Sequence, residues 1–247
     1  MTSADWITPD WPAPAGVHAV CTTRHGGVSQ GPYASMNPAD HVGDTATAVG
    51  ANRQRLARVL DLPAAPVWLQ QVHGTTVIDA TDAPAAPQAD AAFSCRPDVV
   101  CAVLTADCLP LLLCNRAGTV VAAAHAGWRG LAAGVVEQSV AALDVAPVQL
   151  LAWLGPAIGP AAYTVGEEVR EAFIRHDPRA AAAFAPAPGG GWLADLYRLA
   201  RQRLAACGID AVFGGGRCTF TEAQDFFSYR RDGVTGRMAT LIWLENR

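Results

Sequence analysis

Residues 101–130 read CAVLTADCLPLLLCNRAGTVVAAAHAGWRG, from Cys101 to Gly130, and this stretch decides the fold. Two apolar runs flank the turn Asn115-Arg116-Ala117-Gly118, which predicts two buried strands, the second running directly into a helix. Asp107-Cys108 interrupts the first run, and His125 sits near the end of the second. An apolar core has no use for a carboxylate, a thiol and an imidazole, and burying them costs free energy unless each finds a partner. Departures of this kind concentrate at functional sites. Cys108 and His125 are therefore the centre from which the rest of the chain is read.

Composition narrows the classes. Of 247 residues, 51% are hydrophobic and 16% charged, enough for a sizeable core and too apolar for disorder. A net charge of −4 argues against a broad nucleic-acid surface. The longest apolar runs are broken by Asp107, Pro110 and Asn115, short of the roughly 18 residues a membrane span requires. The start, MTSADWITPDWPAP, has neither a basic opening nor an apolar stretch, so no secretory signal is expected. Seven cysteines, an odd number with no CxxC pair, indicate free thiols in a reducing, cytoplasmic setting. Cys21, Cys95, Cys101, Cys114, Cys207 and Cys218 read as small buried apolar residues. No nucleic-acid, membrane or obligate protein partner is indicated.

Outward from the central stretch, Val17 to Thr23 predicts a strand opening into Arg24-His25-Gly26-Gly27-Val28-Ser29-Gln30-Gly31. Its glycines allow backbone to approach a ligand and Arg24 can meet an anion there, although no Gly-Lys-Ser/Thr follows and a plain turn is the simpler reading. Asp44 or Thr45 caps a helix to about Leu60. Val67 to Gly74 predicts a strand ending at His73, with another from Thr75 to Ile78 and a third near Ala91 to Ser94. A helix from Gly130 to about Leu143, a strand from Val148 to Trp153 and a helix from Val165 to Ile174 follow. Pro178 to Gly191 reads as a surface excursion. A helix from Leu193 to Ala206, a strand at Cys218 to Phe220 and a strong strand from Met238 to Leu244 complete one mixed α/β domain spanning 1–247.

His73, Cys108 and His125 stand out together, and their separations of 35 and 17 residues require the fold to assemble any site they form. Two imidazoles and a thiolate suit a three-ligand zinc site with one open position, where zinc activates water near neutral pH. The same set serves a blue-copper centre, with Met36 or Met238 as axial ligand, or a Cys–His nucleophile pair. Three unrelated core residues are the bland alternative. Arg24, Arg129 and Arg230 are candidate phosphate binders, since guanidinium forks match phosphate oxygens. Asp107 either orients a ligand imidazole, carries a proton or caps a turn. Six histidines with no His-x-His pair cannot supply a trinuclear copper cluster beside a separate blue copper.

The blocks QVHG at 71–74, ADC at 106–108, HAGWRG at 125–130, LGPAIG at 154–159 and FFSYRRDGVTGRMATLIWL at 226–244 resemble one family over nearly the whole chain. The N-terminal TTRHGGVSQGPYASMN, which closes on Asn37, resembles its first block. It is the YfiH/YlmD family, variously labelled polyphenol oxidase (laccase), purine nucleoside phosphorylase and peptidoglycan editing factor, to which human FAMIN also belongs. Pro38-Ala39 departs from its usual Leu-Gly. The resemblance implies an α+β fold layered α/β/β/α with mixed sheets, similar to cysteine hydrolases. It implies a cytoplasmic metalloenzyme with His73, Cys108 and His125 as catalytic metal ligands, for zinc ahead of copper. The substrates implied are adenosine, guanosine, inosine and methylthioadenosine with phosphate, with adenosine deamination besides. Asn37, Asp107 and the three arginines are the expected substrate-binding residues. The editing label implies instead an amidase acting on a cell-wall precursor, and a non-catalytic metal-binding role is the remaining alternative.

Overall fold

The computed structural model describes residues 6–245. Its first half runs through β1 (Val17–Cys21), α1 (Ala46–Leu60), β2 (Val77–Asp79), β3 (Ala91–Ser94), β4 (Val100–Thr105), β5 (Leu109–Asn115) and β6 (Val121–Ala126). Then come α2 (Trp128–Ala133), α3 (Val135–Ala142), β7 (Leu150–Leu154), β8 (Thr164–Val165), α4 (Glu167–Ile174), β9 (Phe184–Pro186) and β10 (Trp192–Ala194). The chain ends with α5 (Leu196–Ala206), β11 (Val212–Gly214), α6 (Tyr229–Asp232) and β12 (Met238–Leu244).

Two sheets lie between two helical layers. The smaller is antiparallel, in the order β1-β12-β4. The larger is mixed, in the order β11-β7-β5-β6-β3-β2, with β11–β7 and β2–β3 parallel. Leu111 and Leu113 of β5 pack with α2, α3 and α5 residues such as Leu131, Val136 and Leu204. Leu112 and Cys114, on the opposite face, pack with Val103, Met238 and Ile242 of the smaller sheet. The outer face of that sheet, through Ala102, Leu241 and Trp243, covers Leu56 of α1. The result is a four-layer α/β/β/α arrangement of mixed α+β class, and β4, β5, β6, β7 and β12 are buried along their whole length. No helix among the described residues is long and apolar enough to cross a membrane.

Several expected elements are redrawn. The first apolar run is not one strand: β4 belongs to the smaller sheet and β5 to the larger, and the chain crosses between them at Ala106-Asp107-Cys108. Val67–Gly74 is not a strand but a segment with isolated bridges at Val67 and Gln70. The Gln71 side chain occupies the pairing groups of Leu104, accepting from its N–H at 2.7 Å and donating to its carbonyl at 2.8 Å. The helix after His125 breaks at Gly134, whose φ of +106° ends α2 and starts α3. Pro178–Gly191 is a packed part of the helical layer, with Ala180, Ala183 and Phe184 buried and Phe184 against Phe173. Its glycines close the β9–β10 hairpin, joined by β8 into a third small sheet. The strand expected at Cys218–Phe220 lies earlier, as β11, and Cys218 makes only a bridge to Ala157. Among the thiols, Cys95 is exposed and Cys207 and Cys218 are half-buried, so burial holds only for Cys21, Cys101 and Cys114.

Candidate metal centre

The polar break in the central stretch is the place where the chain changes sheets. Asp107 takes φ +86° at the crossing, and its carboxylate is spent on local structure. It accepts from the Thr219 hydroxyl and the Arg230 backbone N–H, both at 2.6 Å. It is a turn-capping residue that ties the crossing to the C-terminal region, and it orients neither imidazole. Cys108 follows at the edge of β5. His125 stands opposite Pro110 on β6, which carries it to the same end of the large sheet.

His73 arrives from the irregular segment that Gln71 pins to β4. Its φ of +61° lies in the left-handed region, which a side chain disfavours by roughly 1–2 kcal/mol. Asp90 offsets this cost. Its fully buried carboxylate accepts the N–H groups of Val72, His73 and Gly74 at 3.2, 2.9 and 2.6 Å. The same carboxylate meets His125 Nδ1 at 2.8 Å, which leaves Nε2 of that ring for a ligand. Of the uses open to Asp107, capping the turn is the one it serves, and orienting an imidazole falls to Asp90.

The donor atoms of His73, Cys108 and His125 lie within 4.8 Å of one another, with Cys108 Sγ 3.9 Å from His73 Nε2. The two rings meet edge to face, centroids 4.8 Å apart. A tetrahedral ion with bonds of about 2.0–2.3 Å places its donors roughly 3.3–3.6 Å apart, so the most widely spaced donors must approach by about 1.2–1.5 Å, a shift that two side chains share. Gly127 preserves the room. A Cβ there would come within 2.9 Å of His73 Cδ2 and 3.0 Å of Cys108 Sγ. At Gly130 a Cβ would meet the Gly74 carbonyl at 2.7 Å, so both glycines of HAGWRG exist to let the His73 segment seat against α2. The residues present thus fit a single metal ion with one side open.

Charge within the triad is shared. Burial alone would raise the Cys108 thiol, but His125 and His73 outweigh it and bring the pKa down to about 6. Burial works against a charged His125, and Cys108 and Asp90 overcome it, lifting the pKa to about 9. Asp90, which burial would push up, is held below the usual carboxylate range by His125 and the backbone N–H groups. A thiolate ready to coordinate follows.

The triad opens on a cavity of about 470 Å³ whose lining includes Gln71, Thr105, Arg129, Tyr229 and Arg237. Of the expected substrate-binding residues, the structure brings only Arg129 to this cavity, its guanidinium stacked on Trp128 at 4.5 Å. Arg24 is a staple: it donates to the carbonyls of Ala34 and Ala223 and covers Phe227. Arg230 donates to the Thr164 carbonyl and covers Tyr163, joining α6 to β8. Asn37 is fully buried in a network with Ala39 and Asp44, and accepts the Arg237 N–H at 3.0 Å. Met238 spends its sulfur on the Phe227 N–H, and neither Met36 nor Met238 lines the cavity. Asp90, Gln71, Gly127, Thr105, Tyr229 and Arg237 also shape the site and are not among the candidates that the sequence offers. Asp90 carried a usable signal, a lone acid inside the apolar run Ala89–Phe93.

The sequence pattern described as multi-copper polyphenol oxidoreductase laccase matches residues 18–245. The chain is 58% identical over 239 residues to the purine nucleoside phosphorylase YfiH of Escherichia coli (strain K12), covering 96% of this chain and 98% of that protein. Among solved structures, Neisseria meningitidis protein NMB0706 superposes with a TM-score of 0.95 at 52% identity, covering 98% of this chain and 100% of that one. YlmD from Geobacillus stearothermophilus superposes with a TM-score of 0.91 at 36% identity, covering 98% and 96%. With the fold, the sequence blocks and these likenesses in agreement over nearly its full length, the chain belongs to the YfiH/YlmD family, the laccase-like family of that description.

Proposed function

We propose that the chain is a zinc-dependent purine nucleoside phosphorylase acting on adenosine, inosine, guanosine and methylthioadenosine, and that it also deaminates adenosine. The observation that carries the reading is the His73–Cys108–His125 triad, open on one side to a cavity that also holds the guanidinium groups of Arg129 and Arg237. Bound zinc would supply a Lewis acid able to activate water or polarise a substrate oxygen near neutral pH. His73, Cys108 and His125 would hold it, and Asp90 fixes the tautomer of His125. Arg129 and Arg237 give the cavity the positive charge that a phosphate co-substrate demands. Tyr229, exposed at the cavity, offers a ring against which a purine can stack.

Copper oxidation of phenols by several ions needs more donors than the site offers. Among the described residues one group of three converges, and it serves one ion. The test of the main reading combines metal analysis with product assay. About one zinc per chain and formation of ribose 1-phosphate with free base from adenosine and inosine are expected. Phosphate-independent inosine from adenosine reports the deamination. Absence of all three products from zinc-loaded protein would sink the reading.

One observation favours a second reading, the editing amidase. A neighbouring cavity of about 400 Å³ shares His41, Gln71 and Leu104 with the first and extends past Trp68 and Arg53. Together the two cavities offer room for a substrate larger than a nucleoside. Release of serine from a muramoyl-serine precursor, with no nucleoside turnover, would favour it.

A further inference from the structure

Thr105 is the residue the cavity leaves unexplained. It is 2% exposed, its hydroxyl has no hydrogen-bond partner among the described residues, and it lines the cavity beside the candidate ligands. A buried hydroxyl without a partner carries a desolvation cost that a bound ligand removes. Thr105 pairs in register with Met238 on β12, so the residue before Met238, Arg237, reaches the same cavity.

Arg237 is held but not neutralised. Its Nη1 donates to the carbonyls of Thr235 and Gly236 at 3.1 and 3.0 Å, and its backbone N–H is held by Asn37. Among the described residues no carboxylate pairs with it, and no hydrogen bond engages its Nε or Nη2. Its guanidinium lies 5.7 Å from the Tyr229 ring centroid. Arg129, likewise without a carboxylate partner among the described residues, lines the same cavity. A half-buried guanidinium with a free edge and a buried hydroxyl without a partner among the described residues line one cavity, and both can donate to an oxyanion.

We propose that Arg237 and Thr105, with Arg129 completing the positive surround, form the subsite for inorganic phosphate. The proposal rests on the phosphorylase reading and assigns its co-substrate to Arg237 and Thr105 beside Arg129. In the step they serve, an oxygen of hydrogen phosphate forms a bond to C1′ of the ribose. The C1′–N bond breaks with its electron pair going to the purine nitrogen, and the proton of hydrogen phosphate ends on the released base. Arg237 holds the phosphate charge throughout, and the Thr105 hydroxyl donates to a non-attacking oxygen.

The test compares zinc-loaded wild type with Arg237→Met, Arg237→Lys and Thr105→Val, after confirming melting temperature and zinc content. Calorimetry with inorganic phosphate and the phosphate KM of phosphorolysis are the readouts, with the adenosine KM as reference. Arg237→Met is expected to weaken phosphate by about 10- to 100-fold and Thr105→Val by about 5- to 10-fold, with the adenosine KM held within about 2-fold. Arg237→Lys, which keeps charge but not the fork, is expected to fall between wild type and Arg237→Met. Unchanged phosphate affinity in both Arg237→Met and Thr105→Val would overturn the subsite while leaving phosphorolysis standing. Phosphate binding lost in the variants, in a protein that releases no free base, would keep the subsite and remove the phosphorylase reading. Binding of adenosine 5′-monophosphate but not of inorganic phosphate would assign the recess to a nucleotide phosphoryl group and overturn the proposal.

Discussion

Asp90 and His125 are joined twice: the carboxylate meets His125 Nδ1 at 2.8 Å, and the Asp90 carbonyl accepts the His125 backbone N–H at 2.7 Å. One buried residue thereby fixes both the ring and the strand that bears it, while its side chain also gathers the backbone of Val72, His73 and Gly74. Two of the three candidate ligands thus depend on a residue that is not one of them. Asp90→Asn keeps the shape but loses the charge that holds the His125 tautomer. Zinc affinity is expected to fall by about 10- to 100-fold. Chelator competition on folded protein checks it, and undiminished affinity would show that Asp90 only supports the loop.

Gly127→Ala tests the space for the ion. The new Cβ would press on His73 and Cys108 at about 3 Å, so the expected product is a folded protein with strongly reduced zinc occupancy. Gly134→Ala is the contrast. Its strain comes from φ +106° and lies between α2 and α3, so it costs about 1 kcal/mol or more of stability and leaves zinc content intact. Metal analysis beside thermal melting separates the two.

The thiol gives a pH prediction in metal-depleted protein. Because its pKa is lowered from the ordinary 9.0 to about 6, the reactive thiolate of Cys108 is already in the majority at pH 7 and is lost only as pH falls through about 6. Iodoacetamide labelling of Cys108 should therefore rise to half its maximum near pH 6, and added zinc should suppress it. Cys114, which burial pushes up to about 12, should stay unlabelled over the same range. A midpoint near 9 for Cys108 would show that the imidazoles do not stabilise its thiolate.

Gln71→Leu removes both bonds to Leu104 and strands that residue's N–H and carbonyl. A loss of about 1–3 kcal/mol is expected in chemical denaturation. Zinc should also dissociate faster, because the segment bearing His73 is no longer pinned to β4. Stability lost without any change in zinc release would confine Gln71 to a packing function.

The grouping of His73, Cys108 and His125 was legible because each member broke a pattern: a polar residue in an apolar run, or a histidine at a turn. A mixed α/β domain was legible in outline for a related reason, since runs without alternation belong to strands covered on both faces, whereas the α/β/β/α layering came from the family resemblance. That same evenness hid which face of β5 points where, and it hid the change of sheet between Thr105 and Leu109. The neighbours of the triad were hard to read because adjacency in sequence is a poor guide to contact. Asp107 sits next to a ligand and serves Thr219 and Arg230, whereas Asp90, 35 residues from His125, orients it. The arginines misled in the same way. Arg24 and Arg230 stood in suggestive motifs and are bound to carbonyls, whereas Arg237 stood in a strand-like tail and reaches the cavity.

The crossing at Ala106–Cys108 has a mechanical consequence. Cys108 lies on the seam where the chain leaves one sheet for the other, His125 is rooted in the larger sheet, and His73 reaches them from a segment that Gln71 fastens to β4 of the smaller sheet and Asp90 to the entry of β3 in the larger. An ion held by these three would act as a rivet through both halves of the sandwich. The ion would bind the assembled sandwich and not the separated segments, so occupancy and resistance to unfolding would rise and fall together.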